Sequence, residues 1–193
     1  MEGNLSRKKV KSVVLEKSKQ MPFYTDLKRV FEALGGRQKE FNWLITNLEY
    51  SANLYFSPQN EVLNPSELPD YQLNKNLLDI INHEVVWISG EKLSEIVDST
   101  NIQFIWAVLS GFRKEVTIDI QNLTVEPYAD GNPDFWIANP TIQHPMATVE
   151  IVCWDSTLTL LLSNDDDLVK RFITYFSDSI DLIEHNKKYL NSD

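Results

Sequence analysis

The stretch from Thr148 to Leu162 constrains this chain more than any other. Two apolar runs, Thr148 to Trp154 and Thr157 to Leu162, flank Asp155-Ser156, a spacing that predicts an antiparallel hairpin with a two-residue turn, even without the glycine such turns prefer. A helix follows at once. Asn164 is placed to cap it, Asp165, Asp166 and Asp167 put negative charge in its first turn, and Leu168, Phe172, Ile173 and Phe176 supply the buried stripe. A hairpin running into an amphipathic helix is a unit of an α+β fold.

The rest of the chain extends that reading. Phe23, Leu27, Val30, Phe31 and Leu34 recur at helical spacing, with Pro22 suited to the first helical position and Gly35-Gly36 to the stop. Phe41 to Tyr50, continuing to Leu54-Tyr55-Phe56, predicts one or two strands before a loop holding Pro58, Pro65 and Pro69. Leu77, Leu78, Ile80 and Ile81 form a short apolar cluster. Glu84 to Ser89 reads as a strand, Gly90 to Thr100 as a helix burying Leu93, Ile96 and Val97, and Ile102 to Leu109 as another strand. That order allows a parallel crossover, whereas the surrounding hairpins favour a mixed or antiparallel sheet. Val116, Ile118 and Ile120 alternate with polar residues, which predicts a strand with one wet face.

The fold expected is therefore α+β, a mixed or mainly antiparallel sheet packed with about three to four helices around one core. Residues 1–20 are polar and basic, anchored only by Val10, Val13, Val14 and Leu15, and fit either a frayed helix or an ordered edge strand. They are set apart as a basic N-terminal segment, with 21–193 as the single domain.

Charge divides the same way. Residues 1–39 hold ten Lys/Arg against four acids, a net +6, while the remainder holds eight against 24, a net −16. A body this acidic repels nucleic acid and attracts a cationic partner over a Debye length of about 8 Å, although acidity also serves plain solubility. The longest apolar runs fall far short of the roughly 20 residues of a membrane span. The N-terminal charges at Arg7, Lys8, Lys9 and Lys11 lead into no signal-peptide core, so a cytoplasmic protein is expected. Cys153 stands alone in an apolar run and reads as a buried small hydrophobe.

Catalytic chemistry leaves traces that are missing here. His83, His144 and His185 belong to no zinc-binding spacing, and Cys153 sits in a strand rather than beside a base. The six glycines make no phosphate-binding motif. Asp130-Gly131-Asn132-Pro133-Asp134 imitates the start of a calcium loop, but Phe135 and Thr141 stand where Gly and Glu are needed. Asp165 to Asp167 are explained by a helix start. The basic N-terminal segment suits a solvated helix face or a clamp onto the acidic body better than a nucleic-acid arm, because no reader motif accompanies it. No catalytic residue, metal or cofactor is expected.

What remains is the loop from Glu126 to Pro145. It holds Pro127, Pro133, Pro140 and Pro145 and mixes Glu126, Asp130 and Asp134 with Tyr128, Phe135 and Trp136, the composition of a binding hot spot with an acidic rim. These six residues are the candidate partner-binding set. The alternative makes Phe135-Trp136-Ile137 a short edge strand whose aromatics cover the core.

With Phe41-Asn42-Trp43, the EVVWIS strand running into a helix, and the terminal hairpin followed by an acid-started helix, the chain resembles the small acidic immunity proteins found beside bacterial polymorphic and contact-dependent toxins. The resemblance implies a protein that binds a cognate toxin domain, blocks its active site or its access to substrate, and protects the producing cell. A negative surface would then speed association with a basic toxin. The basic N-terminal segment departs from that pattern, and a dimer contact is its alternative use. Two rival readings are a regulatory or scaffold protein that recognises a cellular partner or itself, and a hydrolase with a pocket holding paired carboxylates or a perturbed histidine.

Overall fold

The computed structural model describes residues 9–16, 21, 25–51, 85–99 and 103–190. The expected hairpin is present as β5 (Val149–Trp154) and β6 (Leu158–Ser163). Its register sets Trp154 opposite Leu158, so Asp155, Ser156 and Thr157 make the connection rather than two residues. Asp155 and Ser156 both adopt positive φ, 46° and 54°, a conformation costing about 1–2 kcal/mol each without glycine. The Ser156 N–H donates to Ile105 O at 3.1 Å and the Thr157 N–H to Trp154 O at 2.9 Å, so the neighbouring strand helps to hold the turn.

Around this hairpin the described residues build one seven-stranded sheet. Its other strands are β1 (Lys11–Leu15), β2 (Phe41–Ser51), β3 (Val86–Ser89), β4 (Gln103–Arg113) and β7 (Ile180–Asp181). The order is β3-β2-β4-β5-β6-β1-β7, and every neighbouring pair is antiparallel. Among the described residues four helices accompany it: α1 (Leu27–Ala33), α2 (Gly90–Ser99), α3 (Asp166–Tyr175) and α4 (Leu182–Leu190). The single α+β domain with an antiparallel sheet is thus as expected. The β3–α2–β4 crossover also exists, but β2 lies between its strands and pairs with both.

Several local expectations are corrected. β1, inside the segment set apart as residues 1–20, pairs with β6 from Lys11↔Ser163 to Leu15↔Thr159 and with β7 on its other side, so a boundary at residue 20 does not separate it from the sheet. Helix α1 starts at Leu27, not Pro22, because Asp26 caps it by accepting the Lys28 and Arg29 N–H groups at 3.0 and 3.3 Å. Asp165, not Asn164, caps α3. Ile173 turns outward, 43% exposed, and Val169 takes its place in the buried stripe. Val116 to Ile120 is not a strand: Val116 and Ile118 instead pack beside Leu44 and Phe112. Their alternation reflects a segment lying over a sheet face rather than joining an edge. Residues 22–24, Leu54-Tyr55-Phe56, the Pro58, Pro65 and Pro69 loop, the Leu77 to Ile81 cluster, His83 and Glu84 lie outside the described residues.

Both faces of the sheet are covered. Val13, Leu15, Trp43, Ile45, Leu109, Ile151, Cys153 and Leu161 face α1, α2 and α3, where Phe31, Leu93, Leu168 and Phe172 meet them. Val14, Val108, Val152, Leu160 and Leu162 face the other way, against Ala129, Phe135 and Leu182 of α4. Each large side chain so buried contributes roughly 1.5–3 kcal/mol. The second face carries the functional interest, because an irregular segment, residues 114–148, supplies most of its cover.

Candidate functional site

A long segment without regular structure stays in place only if its backbone polar groups find partners. Here five side chains provide them. Between Thr46 and Glu49 the β2–β4 register shifts, and Asn47 sits in this bulge with φ 50°. Its side-chain oxygen accepts the Ala129 and Asp130 N–H groups at 2.7 and 2.9 Å, and next to it the Thr46 hydroxyl donates to Pro127 O. On α4, the Asn186 amide donates to Phe135 O and Ile137 O, both at 2.8 Å. Within the segment, Gln143 Oε1 accepts from the Tyr128 N–H and from Asn132 Nδ2 at 3.1 and 3.0 Å.

The fifth clamp is Glu150 on β5, fully buried. Its carboxylate accepts the Gln143 N–H at 2.9 Å, the His144 N–H at 3.0 Å and the Ser110 hydroxyl at 3.0 Å. Burial pushes this carboxyl up to about 7 although all three donors favour the charged form. Ser110, His144 and Glu150 superficially suggest a hydrolytic cluster, but the His144 ring does not bridge the other two. Its Nδ1 accepts the Met146 N–H at 3.3 Å, and its ring stands edge-on to Phe112, 4.8 Å between centroids. An open cleft of about 600 Å³ runs past Val10, Ile142, Gln143, His144, Asn164 and Ile183, and neither Ser110 nor Glu150 lines it. Cys153 is buried, its thiol pushed up to about 12 by desolvation, which leaves it protonated and unreactive at neutral pH. Among the described residues no group of three or more His, Cys, Asp or Glu side chains could hold a metal ion, and no helix is long and apolar enough to cross a membrane.

Of the six candidate residues, Glu126, Tyr128, Asp130 and Asp134 are exposed. Phe135 is not. It is 1% exposed and meets Trp154 edge to face at 6.0 Å, so it covers the core and is unavailable to a partner. It does so from a 3-10 turn, Pro133–Phe135, rather than an edge strand. Asn132 caps that turn by accepting the Asp134 N–H at 2.9 Å, which is the structural use of the Asp130–Asp134 motif. Trp136 is partly buried, 4.8 Å from Trp154. The sequence reading missed Ile120, Ile137 and Met146. With Tyr128 these make four of the six exposed large hydrophobic residues of the described chain, all on residues 114–148.

Charge is sorted along the strands. At the end marked by Gly111, Val149, Ser163 and Lys11, cations and acids consume one another. Arg37 binds Glu40, Asp165 and Asp167 at 2.8, 3.1 and 3.0 Å, Arg113 binds Asp165 at 3.2 Å, Lys11 binds Asp166 at 3.2 Å, and Arg171 binds Asp167 at 2.6 Å. Glu126, Asp130 and Asp134 take no ion pair with any described residue. The arrangement is a rigidly held surface with apolar side chains among uncompensated acids. Comparison with protein-family models, curated proteins and solved structures finds no match.

Proposed function

We propose that this protein is an immunity protein: it binds a cognate bacterial toxin domain through the 114–148 layer in the cytoplasm of the producing cell and neutralises it by contact, without chemistry or a cofactor of its own. One observation carries the reading. A long segment clamped by Asn47, Glu150 and Asn186 presents Tyr128, Ile137 and Met146 beside Glu126, Asp130 and Asp134, acids that no described cation neutralises. Clamping reduces the ordering entropy lost on association, exposed aromatic and thioether groups supply contact area, and the acids steer a basic partner.

The test is co-expression and co-purification with the C-terminal domain of the secreted toxin encoded next to this gene. Capture of that domain and rescue of the poisoned cell are expected, and failure of both removes the reading. In the complex, Asp130→Lys with Asp134→Lys is expected to slow association about tenfold or more at low salt. Tyr128→Ala is expected to raise the dissociation rate roughly tenfold, with the thermal midpoint unchanged. Stopped-flow association and surface-capture dissociation rates distinguish the two effects. Trp136→Ala is the wrong probe, because Trp136 packs on Trp154 and its loss damages the fold.

A further inference from the structure

At the opposite end of the sheet from the ion-pair cluster, three tryptophans come together. Trp154 stands 5.1 Å from Trp106 and 4.8 Å from Trp136 between ring centroids, at interplanar angles of 73° and 88°. All three are partly exposed, although tryptophans that only served the core could be covered, as Trp43 is at 0%. Exposed acids adjoin them in ladder register or in sequence. Glu49 lies opposite Trp106 in the β2–β4 ladder and so shares its face, and Asp155 follows Trp154 in the hairpin turn. Asp134 precedes Phe135, whose ring meets Trp154. None of Glu49, Asp134 and Asp155 forms an ion pair with a described residue.

We infer that the Trp106–Trp136–Trp154 cluster is the pocket for an arginine side chain projecting from the partner. Indole faces attract a cation, most strongly where water is partly excluded. A guanidinium suits this place better than an ammonium because it is planar, stacks on indole and is weakly hydrated, and its edge donors pair well with carboxylates such as those of the adjoining Glu49 and Asp155. The inference rests on the partner-binding reading and names the group that would anchor the partner.

The test needs no toxin. Full-length protein labelled with ¹⁵N is titrated with N-acetyl-arginine amide and, separately, with the neutral isostere N-acetyl-citrulline amide, following the indole N–H resonances. Saturable shifts at Trp106, Trp136 and Trp154 are expected with arginine, with Kd about 1 mM for so small a ligand, and none with citrulline. Glu49→Gln with Asp155→Asn, two exposed and conservative changes, is expected to weaken the arginine response several-fold while leaving the spectrum folded. Equal responses to both ligands, no response, or shifts confined to other residues would overturn the inference. Failure of the two readings is distinguishable. A toxin domain bound equally well by the doubly substituted protein overturns the arginine pocket and leaves the immunity reading standing. An arginine response without capture of any toxin domain does the reverse.

Discussion

Glu150→Ala is expected to cost about 3 kcal/mol of stability and to release the Gln143–His144 stretch from the sheet. The change strips the acceptor from two backbone N–H groups and from the Ser110 hydroxyl, and a buried donor left alone costs about 1–3 kcal/mol. Removing a desolvated carboxyl returns part of that, which keeps the net figure near the cost of one or two orphaned donors. Amide exchange should show the local effect, with Gln143 and His144 protected in the native protein and fast in the variant.

The same residue sets a pH dependence whose direction is opposite to that of a salt-bridged acid. Its folded-state value, about 7, lies above the ordinary 4.5, so between these limits the folded chain keeps a proton that the unfolded chain has released. Its contribution to stability is therefore complete below about pH 4.5 and is lost as pH rises through 7, by up to roughly 3 kcal/mol. Urea unfolding of the native protein and of Glu150→Gln at pH 5 to 8 isolates the effect, since groups such as His144 titrate in both. The difference between the two curves should slope from pH 5 to about 7 and level off above it. Parallel curves would show that the carboxyl titrates normally despite its burial.

Gly90→Ala is expected to be at least as damaging, with a loss above about 4 kcal/mol or no folded product. A Cβ at this position would stand 2.1 Å from Gln38 O and 2.8 Å from Phe41 O, and neither backbone can retreat easily. Gln38 O accepts the buried Trp43 indole N–H at 2.9 Å, the Gln38 amide donates to Ser94 Oγ at 3.1 Å, and Ser94 donates back to Gly90 O at 2.7 Å. The small residue is thus required by close approach between the start of α2 and the turn before β2. Gly131→Ala is the comparison, because its φ is 69° with nothing within 4 Å of an added Cβ. Backbone strain alone should cost it about 1 kcal/mol. Thermal melts giving equal losses at the two glycines would refute the steric account.

How much of this was readable beforehand depended on how local each cause is. The hairpin was legible because two apolar runs, Thr148 to Trp154 and Thr157 to Leu162, flank a short polar turn, and α2 and α3 because Leu93-Ile96-Val97 and Leu168-Phe172 recur at helical spacing. β1 was harder, since Ser12 to Leu15 is buried on both faces and shows no alternation in so short a run. Val116 to Ile120 alternates without pairing, because a segment laid across a sheet is sorted into inner and outer side chains much as a strand is. The exposure of Asp130, Asp134 and Tyr128 followed from loop composition. The sequence alone leaves Phe135 open between a binding face and a cover for the core, because its burial depends on Trp154 and on Asn186, 51 positions away in sequence. The tryptophan cluster is equally non-local, brought together by strand register and by the bulge at Asn47.

The insertion of β2 between β3 and β4 bears on how the chain is made. Among the described residues, Phe41–Ser51 pairs with strands at 86–89 and 103–113, and Lys11–Leu15 with strands at 158–163 and 180–181. A nascent chain that has left the ribosome only through β2 holds two strands with no partner yet synthesised. Long-range pairing of this kind folds slowly, so Trp43, Leu44 and Ile45 are expected to depend on chaperone cover until residues 86–113 have emerged, and β1 to join the sheet only after residues 158–163 have.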